Sequence, residues 1–79
     1  MKIEILGTGC AKCDKLEQNA RAAAAETGVP CTIVKVKDLA EIAARGVMLT
    51  PALLIDGLVV TSGRVLSVEE IAEHLQEKE

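Results

Sequence analysis

A short apolar strand that breaks at glycine and passes straight into a helix with two cysteines near its start sets the frame for this chain. Residues 2–6, Lys-Ile-Glu-Ile-Leu, read as a strand, and Gly7-Thr8-Gly9 end it. From Ala11 to about Glu26 the pattern is helical. Leu16, Ala20, Ala23 and Thr27 recur at helical spacing, while Lys15, Gln18, Arg21 and Glu26 keep to other faces. The apolar stripe is mostly alanine, so this helix must lie close to whatever it covers. Gly28 is its C-terminal stop. Cys31 to Val36 is apolar and β-branched and reads as a second strand. Two strands joined by a helix pair in parallel through a right-handed crossover.

The remainder alternates in the same way. Asp38 caps a short helix, with Glu41 at the capping-box offset and Gly46 as the stop. Pro51 opens a third strand over residues 52–55. Asp56-Gly57 is a two-residue hairpin signal, and residues 58–61 return as a fourth strand. Ser67-Val68-Glu69-Glu70 is a second capping box, with Leu66 and Ile71 at the staple positions around it. The last helix runs to about Gln76, with Val68, Ile71, Ala72 and Leu75 on one face. The order is β-α-β-α-β-β-α. It predicts an α/β fold: a four-stranded mixed sheet with helices on both faces, as a single domain over residues 1–79.

Composition narrows the function. The chain has no Phe, Tyr or Trp, which removes aromatic base-stacking platforms and aromatic cages. A net charge of -3 lacks the basic footprint of a nucleic-acid or anionic-membrane partner. No apolar run approaches a signal-peptide core or a membrane span. The expectation is a soluble, cytoplasmic, monomeric protein. In a reducing compartment a close cysteine pair is catalytic or metal-binding rather than a structural disulfide.

That pair is Cys10-Ala11-Lys12-Cys13, at the junction of the first strand and first helix. A helix start presents unpaired N–H groups and the positive end of the macrodipole, which stabilise a thiolate. Lys12 adds positive charge beside them. The two sulfurs can meet across one turn, either to close a disulfide or to chelate one metal ion. Cys10, preceding the helix, is expected to be the more exposed and attacking sulfur, and Cys13 the shielded one. Cys31 reads as a small buried residue rather than a third redox partner.

With these residues in place, the chain resembles the thioredoxin superfamily, most of all its small archaeal and bacterial members described as redox-active disulfide proteins. The matching segments are residues 7–13, Thr50-Pro51-Ala52-Leu53 and Gly63-Arg64-Val65. The resemblance implies a minimal thioredoxin fold and dithiol chemistry at Cys10 and Cys13. It implies that Pro51 is cis and lies against the cysteine pair, with Thr50 offering its backbone to an extended substrate segment. It also implies a role for Glu4, six residues before Cys10. Thioredoxins carry a buried carboxylate at that offset, where it relays a proton to or from the second cysteine. The alternative for Glu4 is a carboxylate reaching solvent past a short sheet. Gly9 stands where ordinary thioredoxins have Trp, and Ala-Lys separates the cysteines in place of Gly-Pro or Pro-Tyr.

The leading expectation is a thiol–disulfide oxidoreductase acting on disulfide-containing protein substrates. It needs no cofactor of its own and depends on a separate disulfide reductase. The alternative is a soft-metal (Cu, Hg or Zn) carrier using the same cysteines. Small copper and mercury chaperones, however, run βαββαβ and carry Met where Thr8 stands here. A third expectation is a non-catalytic interaction module that does not require both cysteines.

Overall fold

The two strands that flank the first helix lie side by side and parallel, as their connection requires. The computed structural model describes residues 1–9 and 11–78. Its elements are β1 (Lys2–Leu6), α1 (Ala11–Thr27), β2 (Thr32–Val36), α2 (Leu39–Ala44), β3 (Ala52–Ile55), β4 (Leu58–Ser62) and α3 (Val68–Lys78). The sheet order is β2-β1-β3-β4. β1 pairs in parallel with β2, from Lys2 opposite Thr32 to Leu6 opposite Val36. It pairs antiparallel with β3, from Ile3 opposite Ile55 to Leu6 opposite Ala52. The chain is therefore an α/β protein with a four-stranded mixed sheet in the predicted element order.

Alternation along β1 divides the interior in two. Ile3 and Ile5 face α1 and α3, where Leu16, Ala20 and Ala23 pack with Leu66, Ile71 and Leu75. Leu6 belongs to the opposite layer with Val36, Ile42, Val47, Ala52 and Leu54, which α2 covers. The alanine stripe brings α1 close to its neighbours, since Ala20 and Ala23 are both fully buried. One polar side chain enters this packing. Asn19 donates from Nδ2 to the Leu66 carbonyl at 2.8 Å, fastening α1 to the segment that leads into α3.

The ends of the elements follow local chemistry. Asp38 Oδ1 accepts from the backbone N–H groups of Ala40 and Glu41 and caps α2. Ser67 and Glu70 form a reciprocal capping box at α3: Glu70 N–H donates to Ser67 Oγ, and Ser67 N–H to Glu70 Oε1, each at 3.1 Å. At the β3–β4 hairpin Asp56 and Gly57 both take positive φ, 50° and 84°, the requirement of a two-residue primed turn. β2 begins one residue later than expected. Thr32 N–H donates to the Met1 carbonyl at 2.9 Å and opens the ladder, which leaves Cys31 outside it.

Candidate functional site

The candidate site forms at the C-terminal end of β1, where the chain must leave the sheet and enter α1. Gly7 extends the ladder by one bond, its N–H donating to the Val36 carbonyl at 3.0 Å. Gly9 then takes φ 92°, which reverses the chain without a side-chain penalty. α1 starts at Ala11. Cys10 lies outside the described residues. Cys13 stands in the first turn of α1 and is 2% exposed, while Lys12 beside it is exposed. The Cys13 sulfur rests against Gly7, where a methyl group would overlap it. The same methyl would come 3.9 Å from Pro51 Cα. Gly7, Cys13 and Pro51 thus converge at one point.

Pro51 reaches that point from the neighbouring strand, just before Ala52, which stands opposite Leu6. The Thr50–Pro51 peptide bond is cis, Pro51 is buried and Thr50 is exposed. Two bonds fasten this segment to the end of β4: Gly63 N–H donates to the Pro51 carbonyl and Ser62 Oγ to the Leu49 carbonyl, both at 2.8 Å. Leu49 lies over Gly63, where an added Cβ would be 3.2 Å from the leucine's own Cβ. Met48 and Leu49, 94% and 64% exposed, form an apolar ledge beside Thr50. Among the described residues no enclosed pocket forms.

Glu4 alternates with Ile3 and Ile5 along β1 and meets Arg45 at the end of α2. It is 5% exposed, so the carboxylate does not reach past the sheet into water. Arg45, at the end of α2, donates from Nε to Glu4 Oε2 at 2.7 Å and from Nη1 to the Glu41 carbonyl at 3.1 Å. The guanidinium thus binds the central strand and the last turn of α2 together. Sequence patterns gave no sign of Arg45, because an ion pair across 41 residues leaves no local signature. Gly7 was legible only as a turn residue.

The other singled-out residues stand apart from this point. Cys31 is half-buried, and its Sγ donates to the Val29 carbonyl at 3.2 Å. Burial pushes its thiol pKa up from 9.0, the nearby N-terminal ammonium opposing it. Arg64 turns toward α3 and donates to Glu70 Oε2 at 2.7 Å. Among the described residues no group of three or more His, Cys, Asp or Glu side chains could hold a metal ion. Among the same residues no helix is long and apolar enough to cross a membrane.

Comparison with known proteins agrees with this geometry. Residues 1–76 match a family profile described as a thioredoxin domain. A thioredoxin of Methanothermobacter thermautotrophicus is 45% identical over 75 residues, covering 95% of this chain and 97% of the relative. A thioredoxin of Methanocaldococcus jannaschii is 45% identical over 74 residues, covering 94% of this chain and 85% of the relative. Neither the relatives nor the described residues lend support to a soft-metal carrier.

Proposed function

Because the chain belongs to the thioredoxin family, we propose that it is a thiol–disulfide oxidoreductase that reduces protein disulfides with Cys10 and Cys13. The observation that carries this reading is the burial of Cys13 in the first turn of α1, against Gly7 and beside Pro51. A sulfur held there is withdrawn from solvent yet within one helical turn of Cys10 in sequence.

In the first step the Cys10 thiolate attacks one sulfur of a substrate disulfide. That S–S bond breaks, a mixed disulfide forms on Cys10, and the other substrate sulfur leaves as a thiolate that takes up a proton. Cys13 then gives up its proton and attacks Cys10. The Cys10–Cys13 bond forms and the second substrate thiol departs. The substrate has gained two electrons and two protons, and a separate reductase returns them to the protein. Lys12 supplies positive charge beside the reacting sulfurs. Thr50 and Pro51 receive the substrate as an extended segment, a role favoured by the exposed, sheet-anchored surface around them. Glu4 is the one buried carboxylate among the described residues and serves as proton acceptor for Cys13. The reading requires a reducing compartment and no cofactor.

Trapping tests the assignment. Cys13→Ser should accumulate a mixed disulfide on Cys10 with a disulfide-bearing protein, read by mass spectrometry, while Cys10→Ser should form none. Trapping by Cys10→Ser alone would overturn it.

A further inference from the structure

Five of the six glycines occupy the left-handed region, where a side chain is strained, and their backbone explains them. Gly7 does not share that conformation. Its N–H is committed to Val36 in the ladder at 3.0 Å, a bond that any residue with a backbone N–H makes equally well. What separates it from an alanine is the space a Cβ would fill, and the Cys13 sulfur already occupies that space.

We propose that Gly7 is a positioning residue for the resolving sulfur: its missing side chain is what allows Cys13 Sγ to lie buried against the end of β1 beside Pro51. This deepens the oxidoreductase reading and rests on it for the word resolving. The sheet bond prevents Gly7 from retreating, and Cys13 has a single side-chain torsion. A methyl group at residue 7 would therefore not compress the sulfur but swing it to another staggered position, away from β1. Attack of the Cys13 thiolate on Cys10, with the substrate thiolate leaving, depends on near-linear alignment of three sulfurs. The displaced sulfur closes that bond more slowly, whereas the first attack by Cys10 does not involve it.

The test is Gly7→Ala in the full chain, in three backgrounds. With both active-site cysteines present, release of a pre-formed mixed disulfide should slow severalfold, with the rate of first attack unchanged. With Cys10→Ser, alkylation of Cys13 by iodoacetamide should accelerate severalfold over Cys10→Ser alone. With Cys13→Ala, the loss of thermal stability caused by Gly7→Ala should disappear, because glycine to alanine at an ordinary φ is otherwise neutral or stabilising. If Gly7→Ala alone fails to fold, recovery of folding by Cys13→Ala supports the same contact. Equal destabilisation with and without the Cys13 sulfur, or an unchanged alkylation rate, overturns the proposal. Stability coupling and alkylation need no redox turnover. A protein that shows both and reduces no disulfide would defeat the oxidoreductase reading and leave the contact standing.

Discussion

Arg45 and Glu4 meet through a 2.7 Å contact between Nε and Oε2 on the α2 side of the sheet, with side chains 30% and 7% exposed respectively. The asymmetry of exposure sets the asymmetry of cost. Arg45→Met strands a carboxylate that water reaches poorly and frees the Glu41 carbonyl. It should destabilise by about 1–3 kcal/mol. Glu4→Gln leaves a guanidinium that can turn to solvent and should cost less than about 1 kcal/mol. Urea unfolding of the two variants checks the order, and the reverse order would mean that Arg45 carries the buried charge.

A chemical role for Glu4 separates from this structural one in kinetics. If Glu4 accepts the proton of Cys13, Glu4→Gln slows release of a mixed disulfide and leaves the initial attack by Cys10 unchanged. Stopped-flow measurement across pH distinguishes the two steps. Release with the same rate and pH profile as the unsubstituted chain would leave Glu4 as the anchor of α2 alone.

Asp56 combines three duties at the hairpin. It takes φ 50°, accepts the Lys2 N–H on Oδ1 and donates its own N–H to the Lys2 carbonyl, both at 2.8 Å. Asparagine keeps the left-handed tolerance and the acceptor; alanine keeps neither. Asp56→Ala should therefore cost about 1–2 kcal/mol, and Asp56→Asn a few tenths. Thermal melts of the pair measure the difference.

Stability should fall on acidification. The Ser67 N–H and then the Arg64 guanidinium hold Glu70 below the ordinary 4.5, and Arg21 and then Lys35 do the same for Glu17. A carboxylate whose pKa is lower folded than unfolded contributes stability that is complete above the unfolded value. That contribution is lost as pH falls through the folded one. Denaturant midpoints between about pH 6 and pH 3 should decline, and Glu70→Gln should flatten part of the decline. An identical slope in that variant would remove Glu70 from the effect.

Cys31 should be chemically quiet. Its thiol pKa is raised by burial and its Sγ is committed to the Val29 carbonyl. Alkylation at neutral pH should mark Cys10 well before Cys31, and Cys31→Ala should leave disulfide reduction unchanged. Loss of turnover in that variant would give the third cysteine a part in the reaction.

Much of the fold was legible because its signals are local. β-branched runs, two aspartate or serine caps, and Asp56-Gly57 each declare themselves within a few residues. The family resemblance reached further, to the expectation that Pro51 lies against the cysteine pair. Three features escaped. Asn19 sits among alanines on the buried side of α1, and only its distant partner, the Leu66 carbonyl, explains an amide there. Arg45 lies at a helix end, where a basic residue is ordinary until Glu4 comes beneath it. Gly7 looks like its neighbour Gly9, and only the location of the Cys13 sulfur tells a spatial glycine from a conformational one.

Strand order has a consequence for the chain as it is made. β1 is synthesised first, yet it occupies the interior of the sheet between β2 and β3. β2 can close one of its edges early, but the other waits for residues 52–55. During that interval an apolar ribbon presents an open row of amide and carbonyl groups, the template on which nascent chains aggregate. A lone inward-pointing charge is one of the devices that protects such an edge. Glu4 stands midway along it, and Arg45 precedes β3 in the chain. The charge that discourages intermolecular pairing on the growing chain thus has its neutralising partner made before the edge is covered.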